Sequence, residues 1–591
     1  MPRVYSPPGW APSLRTFGAV AATRVDACGF DRVTSLLQLQ EYDDVPNQAP
    51  RLELTWPGKD KFLLVPRDEA GKPVWVDRDH PAASEVRLTD FTGAVGDVDD
   101  SSPHSDNLLF TGDSLDVLRI LSESPEFRRE YRGKVRLVYI DPPFNTGQTF
   151  EHYDDWMEHS TWLSFMHERL LLIRDVLAPN GTVWLHLDNF EIHRMRVVMD
   201  EIFGADNFIN AAVWRRTTAK SAAKRGMGTM YDSILVYGRS EAASLNPTLL
   251  PYSEEYIAAK YTKYDEKGRY QPGDLTAPGT RTGDSGQPWR GHDPGSRKRH
   301  WAAPQIDGFM DTEWPAMSTR ERLDALWEAG YIQAPSKPGS APRYKRYLKQ
   351  TGGVAMGDLW ADVSVINSQA IERTGYDTQK PEQLLERVIN LATEAGDVVM
   401  DTFVGSGTTV AVAHKLGRRW VAADILPTTV DEFVVPRLRS VVQGTELSGI
   451  TKAVGWNGGG GFRTVQVAPS MYEQTPFGVM LADWATNGRF SRAVAGQLGF
   501  EWQADAAPFC GVRGRMRLAV FDGAVGSEEI RHVVAALGKK ERVTVVAKSV
   551  LPGAEALLSE ISKGSRIRKA PRDLLTAGAA RARRRVEGGR A

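Results

Sequence analysis

The stretch Leu137-Val138-Tyr139-Ile140-Asp141-Pro142-Pro143-Phe144-Asn145-Thr146-Gly147 decides how the chain is read. Leu137 to Ile140 is a continuous apolar run bounded by turn formers, the pattern of a short strand buried on both faces. Asp141 stands at its carboxyl end. Pro142 and Pro143 then fix φ, remove two backbone donors and end the strand. A carboxylate, a stiff turn with free carbonyls and the ring of Phe144 are thus presented together at a strand edge. In open α/β sheets ligands bind at that edge. A bare Asp-Pro-Pro is more often an ordinary turn whose Asp caps the next element, so the rest of the chain has to decide.

The second anchor is Thr378 to Ile425. Leu384, Leu385, Val388, Ile389 and Leu391 recur at helical spacing over Glu382 to Ala392, with Pro381 tolerated at the start. Asp397 to Phe403 reads as a strand, Val404 to Gly407 as a glycine turn, Thr408 to Leu416 as a helix, and Arg419 to Ala423 as a strand with Asp424 at its end. Strand, glycine turn, helix, strand and acidic residue make the βαβ arrangement of an adenosine-cofactor site. A glycine pair alone is weak evidence, because such turns recur for conformational reasons. The turn lacks GxGxxG, which argues against a nicotinamide dinucleotide.

The regular pattern starts near Leu108, with strand Leu108 to Phe110, the turn Thr111-Gly112-Asp113-Ser114 and a helix over Leu115 to Leu121. Read alone, Asp113 or Ser114 is a helix N-cap. Trp162 to Leu177 is a helix ended by Ala178-Pro179-Asn180-Gly181. Thr182 to Leu187 is a strand, Phe190 to Phe203 a helix and Ser233 to Tyr237 a further strand. His186 and Asp188 read as a strand-end pair satisfying local hydrogen bonds. The whole predicts an α/β fold with a Rossmann-like sheet.

Asp141-Pro142-Pro143-Phe144 resembles the catalytic motif of amino-group DNA methyltransferases, usually written DPPY, which methylate N6 of adenine or N4 of cytosine. Phe144 keeps the π-face of the commoner Tyr and loses its hydroxyl. Asp401-Thr402-Phe403-Val404-Gly405-Ser406-Gly407-Thr408-Thr409 is similar to the cofactor motif of the same enzymes. The resemblance implies that S-adenosyl-L-methionine is the cofactor. It makes Asp141, Pro142, Pro143 and Phe144 catalytic, with Asp141 and the Pro142 carbonyl accepting the amino hydrogens of a flipped base and Phe144 stacking on it. It places Asp401, Phe403, Gly405, Gly407, Thr408 and Thr409 at the cofactor, Asp424 at the ribose hydroxyls and Asp113 near the adenine. Lys380, in Thr378-Gln379-Lys380-Pro381, is expected to help close the cofactor pocket. The catalytic motif precedes the cofactor motif, an order similar to the beta class, which includes the modification subunits of type III restriction systems. The stretch from Asp358-Leu359-Trp360 through Ile366-Asn367-Ser368-Gln369 to Thr374-Gly375-Tyr376 looks like that group as well. Asp-Pro-Pro favours adenine, since Ser-Pro-Pro is commoner for cytosine N4, which stays the alternative. A DNA-binding specificity subunit of a defence complex is the alternative from another class; two intact motifs argue against it.

With 591 residues the chain is too long for one domain. The expected division is 1–105, β-rich or mixed; 106–214, the catalytic half; 215–357, a target-recognition insertion with an embedded core strand near 233–237; 358–445, the cofactor half; and 446–591, a C-terminal α/β region with a basic tail over Arg581 to Arg590. Hydrophobic content of 41% and charged content of 25% are ordinary for globular protein, and the net charge of −1 gives no general attraction to DNA. Local clusters must supply it: Arg215, Arg216, Lys220, Lys224 and Arg225; Trp289-Arg290; Arg297 to Trp301; and Arg343 to Tyr347. Basic residues interleaved with aromatics suit phosphate contact and stacking. The expected partners are double-stranded DNA, a separate restriction or helicase-nuclease subunit and a second copy of the chain as a homodimer. No apolar run is long enough to span a membrane, no leader is seen, and the cytoplasm is the default. Cys28 and Cys510 make no metal spacing, and no metal is expected.

Overall fold

The computed structural model describes residues 52–65, 72–145, 148–149, 154–155, 157–217, 227–335, 337, 340–350, 352–367, 369–475 and 478–575. Lys220, Lys224, Arg225, Ser368, Cys28 and the basic tail lie outside them. The central element is a ten-stranded sheet. In chain order its strands and the helices that cover it are β1 (Thr89–Gly96), β2 (Leu108–Thr111), α1 (Ser114–Glu123), β3 (Val135–Ile140), α2 (His159–Val176), β4 (Leu177–Leu187), α3 (Ile192–Phe203), β5 (Phe208–Arg215), β6 (Tyr231–Gly238), β7 (Leu359–Trp360), α4 (Glu382–Ala392), β8 (Val398–Asp401), α5 (Thr408–Lys415), β9 (Arg419–Asp424), α6 (Val435–Val442) and β10 (Gly461–Val467). The strand order is β7-β5-β6-β4-β3-β8-β9-β2-β10-β1. From β4 to β10 every neighbouring pair is parallel, whereas β6 is antiparallel to both β4 and β5. The structure is thus mixed α/β with a large central sheet.

The two faces follow from strand alternation. Val138, Ile140, Met400 and Val421 pack with α1, α2 and α3 in one core; Leu137, Tyr139, Val399 and Trp420 pack with α4, α5 and α6 in the other. The parallel strands are apolar on both sides because both faces are covered. β3 and β8 are neighbours, with Val399 opposite Leu137 and Met400 opposite Val138. From β3 the chain crosses on the α2 face to β4; from β8 it crosses on the α5 face to β9. The strand order reverses here, so a crevice opens between their carboxyl ends, at Asp141 and Asp401.

Two local differences from the sequence reading have packing causes. Ala178 to Gly181, expected to be a loop, lies inside β4, because pairing with β3 jumps from Val135–Leu177 to Leu137–Thr182 and the intervening residues bulge. Leu52 to Trp56, within the N-terminal region expected to be β-rich or mixed, forms no strand. Trp56 instead seals the α2 face, its indole donating to Ser164 Oγ at 2.7 Å.

The segment between β6 and β7 builds a four-stranded sheet of its own, in the order Lys263–Asp265, Gly268–Asp274, Arg343–Tyr347, Ile332–Gln333. Its core contains Trp289, Trp301, Trp314 and Tyr344. The aromatic members of the basic clusters are therefore largely buried, and several of the cations are paired internally. Arg290 pairs with Asp324 at 3.0 Å, Arg343 with Asp274 at 2.5 Å and Lys345 with Asp265 at 2.9 Å. Arg297, Lys298 and Arg346 remain exposed. After β10 a five-stranded sheet with its helices carries strand Arg542–Val550 and helix Ala554–Ile561. Among the described residues no helix is long and apolar enough to cross a membrane. Cys510 is a free thiol pushed up to about 12 by burial, too high for a reactive thiolate.

Candidate active site

The crevice between β3 and β8 is a cleft of about 640 Å³. It is lined by Asp113, Asp141, Pro142, Pro143, Phe144, Lys380, Asp401, Phe403, Gly405, Thr408, Thr409 and Asp424, which the sequence singles out from segments up to three hundred residues apart. Gly407 is not among the lining residues. Its φ of +79° serves the turn into α5, where it occupies the N-cap position. Gly405 has φ +47°, and a Cβ there would stand 3.2 Å from the Tyr376 ring. A side chain at Gly405 is thus disfavoured by backbone conformation and by space.

At the catalytic turn, Trp162 of α2 donates from Nε1 to the Pro143 carbonyl at 2.8 Å, fixing the turn on the helix below. Asn145 follows in the left-handed region at φ 61°. Its side chain donates to Glu191 at 2.8 Å and accepts from the Met157 backbone at 2.6 Å. Lys380 Nζ forms an ion pair with Asp141 Oδ2 and stands 5.3 Å from the centre of the Phe144 ring. Asp141 Oδ1 is buried and has no hydrogen-bond partner among the described residues. Leaving such an acceptor unsatisfied is costly, so it is open to a donor from water or from a ligand.

At the cofactor turn, Asp401 accepts from the Phe403 amide at 3.0 Å and the Thr409 hydroxyl at 2.6 Å, which ties the end of β8 to the start of α5. Asp424 accepts from the Gly405 amide at 3.1 Å and the Leu426 amide at 3.0 Å. Burial pushes the Asp401 carboxyl up to about 7; the Thr409 and Phe403 bonds oppose this, and the charges of Asp141 and Asp424 add to it. Burial likewise raises Asp424 to about 6 against the backbone amides that favour its charge. The cleft thus gathers acidic groups that pay for being ionised together, a field complementary to a cation. Asp113 caps α1 through the Leu115 amide at 2.8 Å, and both its carboxylate oxygens accept from Arg169 Nη2 at 2.8 Å. The N-cap and the cleft position are one residue.

Several participants carried no sequence signal of their own. Arg169 lies within the helical pattern of α2, yet it stacks 3.5 Å over Phe165 and orients Asp113. Asp188 accepts from the nearby Phe190 amide at 2.8 Å, whereas fully buried His186 bonds the Tyr139 hydroxyl at 2.7 Å and Asp232 at 3.3 Å. This chain runs across β3, β4 and β6 directly behind Phe144, whose ring centre is 5.9 Å from that of His186. Trp214 and Arg216 complete this wall of the cleft. Only the pairing of β6 with β4 brings Asp232 there, and no spacing in the sequence announces it. Among the described residues no group of three or more His, Cys, Asp or Glu side chains could hold a metal ion.

A doubly wound sheet with a carboxylate-proline turn and an acidic glycine turn meeting at its switch point defines a nucleotide-cofactor transferase site. Residues 135–434 match the family model described as DNA methylase, N6_N4_Mtase. The chain belongs to this DNA methylase family. It is 30% identical over 386 residues to the type II methyltransferase M.EcaI of Enterobacter cloacae, covering 64% of this chain and 76% of that one. It is 29% identical over 352 residues to the type III restriction-modification enzyme StyLTI Mod subunit of Salmonella typhimurium, covering 53% of this chain and 50% of that one. Among solved structures, the M1.HpyAVI–SAM complex is similar at 12% identity and a TM-score of 0.29, covering 56% of this chain and 98% of that one. The chain thus spans three quarters of the first relative's length and half of the second's.

Proposed function

We propose that the chain transfers a methyl group from S-adenosyl-L-methionine to the exocyclic amino nitrogen of a flipped base in double-stranded DNA, with N6 of adenine as the target. The observation that carries this reading is Asp141 Oδ1, a buried acceptor without a partner among the described residues, at the mouth of an acidic cleft. The cofactor supplies an electrophilic methyl on a sulfonium cation, and the carboxylates Asp401 and Asp424 suit that charge. Asp401 and Asp424 hold the glycine turn against which it would lie, and Phe403 and Phe165, with ring centres 6.1 Å apart, supply apolar wall.

An exocyclic amine is a poor nucleophile because its lone pair is delocalised into the ring. Asp141 Oδ1 and the Pro142 carbonyl accept its two hydrogens, which favours a more tetrahedral nitrogen and directs the lone pair outward. Trp162 holds the Pro143 carbonyl and so fixes the turn that carries the Pro142 carbonyl. Phe144 offers a stacking face worth roughly 1–3 kcal/mol, comparable with the few kcal/mol that flipping costs. Cytosine N4 has the same amine chemistry and is the second reading. The type III relatives support a separate restriction subunit as partner.

The test is mass spectrometry of nucleosides from unmethylated DNA incubated with the protein and labelled S-adenosyl-L-methionine. Label in N6-methyladenine is the expected result. Label in N4-methylcytosine would keep the mechanism and correct the base, and absence of label from every nucleoside would overturn the proposal.

A further inference from the structure

Lys380 lines the cleft beside Asp141, Pro142, Pro143 and Phe144. We infer that Lys380 is a positioning residue for methyl transfer: it fixes and charge-balances Asp141 through Oδ2, so that Oδ1 is left to accept the substrate N–H. The inference rests on the reading of Asp141 as the amine acceptor. Three observations carry it, independently of any titration.

The first is the division of the carboxylate. One oxygen of Asp141 is held by the Lys380 ammonium, while the other is buried and has no hydrogen bond among the described residues. A carboxylate pinned at one oxygen cannot rotate that oxygen into the substrate's place without breaking a charge-assisted bond. The second is the anchoring of the lysine itself. The Lys380 carbonyl accepts from the Thr408 hydroxyl at 3.1 Å, tying its backbone to the first turn of α5, and Pro381 then stiffens the approach to α4. Its side chain crosses from the cofactor half to the end of β3, with 12% of its surface exposed. The third is the company that Asp141 keeps. Asp401 at the end of β8, the Tyr139 phenol of β3 and Asp424 at the end of β9 line the same cleft. Lys380 supplies a cation to this group, and the same ammonium lies over the Phe144 ring. The carboxylate that takes the amine and the ring that takes the base are thus set by one side chain, itself fixed to the cofactor turn.

The test compares Lys380→Met and Lys380→Arg with the unmodified protein in cofactor binding by calorimetry and in methyl transfer to DNA at saturating cofactor. Positioning of Asp141 predicts that Lys380→Met lowers kcat roughly 10- to 100-fold, the worth of a charge-assisted hydrogen bond, while the cofactor Kd changes less than about threefold. Retained cofactor binding also shows that the variant is folded. Lys380→Arg, whose guanidinium can still pair with a carboxylate, recovers most of that rate. A cofactor Kd weakened by as much as kcat falls would assign the lysine to the cofactor and overturn the inference. So would Lys380→Met at full kcat, or Lys380→Arg as slow as Lys380→Met. If the unmodified protein transfers no methyl group, it is the proposed reaction that fails, and that is read before either variant.

Discussion

Asp141 is held from two directions, by the Pro-Pro turn fixed on Trp162 and by Lys380 at one oxygen. Its remaining oxygen is the acceptor around which the proposed chemistry is arranged. Asp141→Ala removes that acceptor and leaves the glycine turn untouched. Methyl transfer is expected to fall by roughly two to three orders of magnitude, as when a preorganised group at a reacting centre is deleted, with the cofactor Kd measured by calorimetry nearly unchanged. Near-normal turnover would show that the amine is activated elsewhere. Asp401 and Asp424 give a second expectation at this scale. Both carboxyls are raised, to about 7 and about 6, so as pH falls they take up protons earlier than ordinary carboxylates do. Protonation removes the charge that attracts a sulfonium, so S-adenosyl-L-methionine affinity is expected to hold above pH 7 and to weaken as pH drops through 7 to 6. The stability of the ligand-free protein should move the opposite way. A folded value raised above the unfolded one favours the folded state below about pH 4 and is lost as pH rises through the folded value. A cofactor Kd that is flat from pH 5.5 to 8 would separate these carboxylates from cofactor binding.

Among the elements, α4, α5 and α6 are joined under the cofactor half by charges withdrawn from water. Glu382 at the start of α4 accepts from Lys415 of α5 at 2.8 and 2.9 Å, from Arg437 of α6 at 2.7 Å and from the Ile450 amide at 2.9 Å. Glu382 and Lys415 are fully buried and Arg437 nearly so. Glu382→Ala would strip buried Arg437 of its carboxylate and leave Lys415 with Glu446 alone, a loss of about 3–5 kcal/mol. Denaturant unfolding is expected to show it; a loss under 1 kcal/mol would mean that water replaces the carboxylate. This network also marks what the sequence hides. The two anchors were legible because each packs a whole strand, turn and functional group into one contiguous phrase, Leu137 to Asn145 and Val398 to Thr409. Glu382, Arg437, Arg169 and Asp232 were not legible, because their partners lie 33 to 68 residues away or on a strand whose neighbour only the sheet order defines. The basic clusters were legible only in part, for a related reason. Interleaved cations and aromatics look alike whether they face a phosphate or fold onto one another, and in the insertion the tryptophans form the core while Asp274, Asp265 and Asp324 take the cations.

Across the whole molecule, the C-terminal region is fastened to the methyltransferase sheet by the pairs of Arg489 and Arg492 with Asp90 of β1, by Arg129 with Glu501, and by a short buried segment that precedes β1. Glu85, buried there, accepts from Ser470 Oγ at 2.7 Å and from the Met471 amide at 2.8 Å. Its neighbour Val86 donates from its amide to Gln497 at 2.8 Å, and Leu88 belongs to the apolar core of the C-terminal region. Burial raises the Glu85 carboxyl above its usual range, and the bonds from Ser470 and Met471 and the charge of Arg87 only partly offset it. Two substitutions therefore separate its hydrogen bonds from its charge. Glu85→Ala leaves the Met471 amide and the Ser470 hydroxyl without their acceptor, a cost of about 1–3 kcal/mol, and should open the 468–472 connection to limited proteolysis. Glu85→Gln keeps an acceptor for Met471 and removes the buried charge. Because the folded-state value is raised, stability is lost as pH rises through it, so Glu85→Gln should equal or exceed the unmodified protein above neutral pH and lose that advantage in acid. If both variants were cleaved alike at 468–472, the charge rather than the hydrogen bonds would be the fastening, and the C-terminal sheet would be joined to the catalytic sheet by electrostatics that salt can loosen.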